Sequence, residues 1–149
     1  MNYLNMKKIQ ILLVEDNEGD ILLIREALED GKILHDLKVV KDGHEAIMYL
    51  NKDQKYGVEI MKPDIILLDI NLPKKNGHEV LKHIKTSEEL KQIPVIMLTT
   101  SSTPKDVLDA YKEHANCYIT KPVEGMEFLK VITQIEDFWF SLVKLPTKN

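Results

Sequence analysis

The sequence predicts an α/β domain: a doubly wound, five-stranded parallel sheet with helices on both faces. Three observations carry that expectation. Short apolar runs without helical period alternate with stretches whose apolar residues recur every three or four positions. Turn and capping residues bound each run, which suits strands buried on both faces of a parallel sheet. Single helical stretches separate successive strands, the pattern of right-handed βαβ crossovers.

The elements follow in order. Ile9 to Val14 reads as the first strand, and Ile21-Leu22-Leu23-Ile24 with Ala27 and Leu28, after Asp16-Asn17, as the first helix. Leu37 to Val40 is a weaker second strand, and Ala46, Ile47 and Leu50 after Gly43 mark the second helix. Asn51 to Lys62 is polar and contains Gly57, the composition of a longer surface connection. Ile65 to Leu68 is the third strand, followed after Gly77 by a helix carrying Val80, Leu81 and Ile84. Val95 to Leu98 is the fourth strand. Val107, Leu108 and Tyr111 mark the next helix, whose start at Thr103-Pro104-Lys105-Asp106 has capping-box spacing and Pro at the first helical position. Tyr118-Ile119 is a short fifth strand, and the last helix runs from about Glu124 to Val143. The chain thus divides into an N-terminal lead over residues 1–8, one domain over 9–145, and a tail over 146–149.

Composition narrows the function classes. The 149 residues fit a single domain, and 44% hydrophobic residues is ordinary for a globular chain. A net charge of -4 gives no electrostatic reason to bind nucleic acid or an anionic membrane. The one cysteine, Cys117, excludes an internal disulfide framework and suits a reducing compartment. No apolar run approaches the roughly 20 residues of a membrane helix, and Met1 to Gln10 has no apolar signal-peptide core. The expectation is a cytoplasmic protein without direct nucleic-acid or membrane partners.

Function in an open parallel sheet collects outside the carboxyl ends of the strands. There the sequence places Glu15-Asp16, Asp69, Thr99-Thr100 and Thr120-Lys121-Pro122. Any one acid after a strand is commonly a helix cap or a solvated turn. Four strand ends supplying three carboxylates, a hydroxyl and an ammonium to one edge are harder to explain that way. Two carboxylates about 4 Å apart repel by roughly 4 kcal/mol at an effective dielectric near 20. Such a cluster takes up protons or binds a cation, and hard oxygen ligands favour Mg2+ completed by a phosphate. No Gly-rich phosphate cradle is present, so the phosphoryl group is expected to arrive covalently.

These residues resemble the receiver domain of two-component response regulators over essentially the whole chain. The matching motifs are Val14-Glu15-Asp16-Asn17, Leu67-Leu68-Asp69-Ile70-Asn71-Leu72-Pro73 with Gly77, Leu98-Thr99-Thr100-Ser101, and Ile119-Thr120-Lys121-Pro122. The resemblance implies a (βα)5 flavodoxin-like receiver fold with an extended last helix. It implies Asp69 as the phosphoacceptor that attacks a phosphohistidine on a sensor histidine kinase. It implies Mg2+ held by Asp16, Asp69 and the Asn71 backbone carbonyl, with Glu15 as the further acid. Lys121 then pairs with the acceptor, Thr99 is the switch hydroxyl and Tyr118 the switch aromatic. The same resemblance implies a cis Lys121-Pro122 bond and a changed surface on the fourth helix, fifth strand and fifth helix.

The last helix is unusually apolar, and Phe138, Trp139 and Phe140 in succession cannot all face one sheet. Either the core is larger than usual, with the tail folded back, or the helix forms a contact surface, most simply a symmetric dimer. The expectation adopted is an interface through Phe138, Trp139 and Phe140. This stretch, with the longer connection before Pro63, resembles the small stand-alone regulators that partner bacterial phytochrome kinases. The five histidines, His35, His44, His78, His83 and His114, are expected in solvated or half-buried roles, and Cys117 as a small core residue. The rival expectation is an aspartate-nucleophile phosphohydrolase of the haloacid-dehalogenase type. It needs a second Asp two residues after the first, where this chain has Asn71, and a cap for which 149 residues leave no room.

Overall fold

The computed structural model describes residues 8–31, 33–51 and 62–146. All of the expected lead except Lys8, most of the connection before Lys62, and the tail beyond Pro146 lie outside the described residues.

The strands are β1 (Ile9–Val14), β2 (His35–Val40), β3 (Ile65–Leu68), β4 (Val95–Thr99) and β5 (Cys117–Thr120). They form one parallel sheet in the order β2-β1-β3-β4-β5. The central strands β3 and β4 are buried throughout, as are the last four residues of β1. This is why their sequences are continuous apolar runs, whereas the edge strands β2 and β5 carry polar residues. The period of two along a strand divides the core into two layers. Leu12, Val14, Ile66, Leu68 and Met97 face one side, and Ile11, Leu13, Ile65, Leu67, Ile96 and Leu98 the other.

The helices are α1 (Glu18–Asp30), α2 (Gly43–Leu50), α3 (Gly77–Thr86), α4 (Pro104–Lys112) and α5 (Gly125–Ile135). Side-chain caps start four of them. Asn17, Asp42, Asn76 and Thr103 accept from the backbone N–H groups of Asp20, Glu45, Glu79 and Asp106, satisfying donors that a helix leaves orphaned. Helices α1 and α5 pack on one face, and α2, α3 and α4 on the other. Among the described residues, no helix is long and apolar enough to cross a membrane.

Helix α4 starts at Pro104 with Thr103 as its cap, as expected; its inward residue is the small Ala110, while Leu108 and Tyr111 are exposed. The aromatic run at the end of the chain needs correction. The last helix continues past Ile135 as a π-helical segment, Glu136–Leu142. Phe128, Ile132 and Ile135 follow the α period into the core; the wider turn then brings in Phe140, five residues on. The aromatic run therefore divides. Phe140 is buried, Trp139 is half-buried against the same core, and Phe138 is 50% exposed with its ring edge-on to Trp139. Phe140 is thus a core residue of its own chain, not a contact residue.

Candidate functional site

The site lies at the carboxyl ends of the central strands, and the sheet's own hydrogen bonds position it. Glu15 N–H donates to the Val40 carbonyl at 3.0 Å, Asp69 N–H to Val14 at 3.1 Å, and Lys121 N–H to Thr99 at 2.7 Å. The residue that follows each strand is thereby held in register with its neighbour. Gly77, at the start of α3, lies directly under this edge: a Cβ there would collide with the Asp69 carbonyl oxygen and the Ile70 Cα. Its N–H donates to the Ile70 carbonyl at 2.8 Å, closing the turn that follows Asp69.

Glu15, Asp16 and Asp69 come together as expected. Each offers a carboxylate oxygen, and the three oxygens lie within 4.8 Å of one another. Glu15 and Asp69 are buried while Asp16 is exposed, so the cluster opens to solvent on one side. Asn71 N–H donates to Asp69 Oδ1 at 3.3 Å, fixing the carboxylate plane by a turn of the Asx type.

The Lys121 ammonium is buried among these acids. It bonds to Glu15 Oε1 and lies 3.3 Å from Asp69 Oδ2. A third partner escaped the sequence reading: Asp20 Oδ2, in the first turn of α1, at 2.9 Å. Burial opposes the ammonium, but its bonds to Glu15 and Asp20 outweigh that cost and hold Lys121 above the ordinary lysine range. Burial pushes the Glu15 carboxyl up to about 7; Lys121 opposes that rise, and the nearby Asp69 charge adds to it. The donor set fits a hard divalent cation: three carboxylates on one open edge, no nitrogen or sulfur ligand, and a buried acid that gives up its proton reluctantly without an added positive charge.

Thr99 is fully buried at the end of β4, and its Oγ1 accepts from the Ser101 N–H at 3.3 Å. Tyr118 is half-buried against the core, with its hydroxyl on the Ser101 carbonyl. Sequence reasoning missed what lies beyond. The Ser101 hydroxyl donates to Asp106 of α4, and Asp106 Oδ1 lies 3.0 Å from His78 Nε2 of α3. His78 is half-buried as expected, though held by a carboxylate. Lys121-Pro122 is not cis: no peptide bond among the described residues is. The trans isomer is the lower-energy form for such bonds.

Comparison with known proteins decides the family. The response regulator receiver domain family matches residues 11–133. The chain belongs to that family. It is 44% identical to the response regulator Rcp1 of Synechocystis sp. over 136 residues, 91% of this chain and 92% of the relative. It superimposes on the phosphorylated cyanobacterial phytochrome response regulator RcpA with a TM-score of 0.91 at 45% identity, covering 95% of this chain and 100% of the other. The Mn2+-bound form of Rcp1 gives 0.90 at 43% identity, with 93% and 99% covered. As a receiver domain this chain is a signalling module with the five-stranded fold of its relatives.

Proposed function

We propose that this receiver takes a phosphoryl group onto Asp69 from the phosphohistidine of a sensor histidine kinase, and that a phytochrome kinase is its partner. The observation that carries the reading is the meeting of Asp69 with Lys121 and two further carboxylates at one sheet edge. The phytochrome assignment draws support from RcpA and Rcp1, similar to this chain over nearly their whole lengths.

An Asp69 carboxylate oxygen attacks phosphorus and forms an acyl phosphate as the P–N bond to the imidazole breaks. The bond's electron pair leaves with the imidazole nitrogen, which takes a proton from solvent. Asn71 N–H and Lys121 orient the attacking carboxylate. Glu15, Asp16, Asp69 and the Asn71 backbone carbonyl would hold Mg2+, which when bound neutralises charge on the acids and phosphoryl oxygens.

Thr99 supplies the switch hydroxyl and Tyr118 the aromatic that follows it. Moving such an equilibrium from 1:99 to 99:1 takes about 5.5 kcal/mol, within reach of several charge-assisted hydrogen bonds. Exposed Leu108 and Tyr111 on α4, with Val123 and Met126 beside β5 and α5, support output through protein contact. Exposed Phe138 supports a homodimer through the last helix. The single cysteine supports a cytoplasmic setting.

The test is intact mass after incubation with Mg2+ and acetyl phosphate, beside Asp69→Asn, followed by size-exclusion chromatography. One phosphate on the wild type alone is expected, with elution moving toward the dimer. Equal phosphorylation of the variant contradicts the assignment of Asp69.

A further inference from the structure

An ammonium carries three hydrogens, and in this fold each of those on Lys121 has a carboxylate to meet. The acceptors are Glu15, Asp20 at 2.9 Å and Asp69 at 3.3 Å, around a side chain only 3% exposed. Phosphorylation turns the Asp69 carboxylate into an acyl phosphate and hands its Lys121 hydrogen to the phosphoryl oxygens, so any second bond from the ammonium to that group must be taken from Glu15 or Asp20.

These two acids are not equal. Glu15 is buried, and stripping its carboxylate of the cation leaves an uncompensated charge away from water, the costly case. Asp20 is 22% exposed, so water can take over its oxygen when the lysine leaves. It also sits in the first turn of α1, where the helix N-terminus favours its charge.

We propose that Asp20 is a positioning residue for Lys121: it occupies one ammonium donor in the resting state and yields that donor to the phosphoryl group on Asp69. Asp20 thereby competes with the phosphoryl group and sets how readily the modified state forms. The inference rests on Asp69 being the phosphoacceptor.

Beryllofluoride, a stable stand-in for the phosphoryl group, separates the two. Its affinity is measured at saturating Mg2+ for the wild type, Asp20→Asn, Asp20→Glu and Glu18→Gln, with Mg2+ affinity alone measured in parallel. Asp20→Asn keeps the shape of the side chain and the backbone N–H that Asn17 caps at 2.9 Å. Glu18→Gln removes a charge from the same helical turn, but that carboxylate is exposed and pairs with Lys41.

Asp20→Asn is expected to bind beryllofluoride roughly three- to tenfold more tightly, the scale of one charge-assisted hydrogen bond released from competition. Asp20→Glu returns to near the wild-type value, Glu18→Gln stays within about twofold of it, and none of the variants binds Mg2+ more tightly. An unchanged or weaker affinity in Asp20→Asn overturns the proposal. So does an equal gain in Glu18→Gln, which assigns the effect to general charge. A wild type that binds Mg2+ but no beryllofluoride overturns the phosphoacceptor reading, and this inference with it.

Discussion

The Tyr118 hydroxyl donates to the Ser101 carbonyl at 2.8 Å, tying β5 to the loop that leads into α4. Ser101 is engaged three times over: its carbonyl by Tyr118, its N–H by the buried Thr99 hydroxyl, and its own hydroxyl by Asp106. One residue thus joins the proposed switch pair to the first turn of α4. On the proposed mechanism, Thr99 moving toward a phosphoryl group lets go of the Ser101 N–H, and the loop and helix start respond.

Tyr118→Phe removes the hydroxyl and keeps the ring. It is expected to cost about 1 kcal/mol, the ordinary net worth of one hydrogen bond, in urea denaturation. Amide exchange from residue 101 to 107 should quicken while the β4 amides stay protected. Unchanged exchange in that loop contradicts the link.

Ser101→Ala tests the outer half of the network by pH. The Ser101 hydrogen bond, and then that of His78, hold Asp106 below the usual carboxylate range. A carboxyl depressed in the folded state adds stability above its unfolded value and loses it as pH falls through the folded one. Ser101→Ala should raise the Asp106 titration toward the usual range and shrink that acid-side loss. Carboxyl carbon NMR of Asp106 reads the shift directly.

Glu15 predicts the opposite slope. Its carboxyl is raised to about 7 from 4.5, burial being the first cause. The protonated form therefore favours the fold, and that contribution, complete below the unfolded value, fades as pH climbs through about 7. Without divalent cations, Glu15→Gln should exceed the wild type in stability by about 1–3 kcal/mol at high pH and match it in acid. Mg2+ needs the ionised carboxylate, so wild-type Mg2+ affinity should climb through neutral pH, while the variant binds weakly and with less slope. Thermal denaturation across pH, with and without Mg2+, gives both.

Much of this was legible in the sequence, for physical reasons. Central strands of a parallel sheet must be apolar on both faces, so β1, β3 and β4 announce themselves and fix where Glu15, Asp69 and Thr99 emerge. Edge strands carry less of that pattern: β2 began two residues earlier than its apolar run and β5 one residue earlier. Asp20 escaped because an acid in a helix's first turn already has an ordinary purpose there; its bond to Lys121 spans 101 positions that only the fold brings together. The Asp106–His78 contact escaped similarly, since each residue alone fits a helix surface. In the aromatic run the sequence shows that the three rings cannot share one face, but not which one turns inward, because the π-helical turn shifts the run off the α period.

That shift separates two neighbouring rings by experiment. Phe140→Ala opens a core cavity and should cost about 3–5 kcal/mol. Phe138→Ala should change stability by no more than about 0.5 kcal/mol, the usual range at an exposed site, yet weaken dimerisation. Denaturation and sedimentation of both variants decide, and equal destabilisation contradicts the assignment of Phe138 to the surface.

The central claim is that Asp69 carries the phosphoryl group, and reductive trapping tests it most directly. Borohydride cleaves an acyl phosphate and leaves homoserine in place of the modified aspartate, which peptide sequencing by mass spectrometry then locates. After acetyl phosphate and Mg2+, the account predicts homoserine at position 69, with Glu15, Asp16 and Asp20 unchanged. Homoserine at position 16 or 20, or the reduced form of Glu15, with Asp69 intact would contradict it.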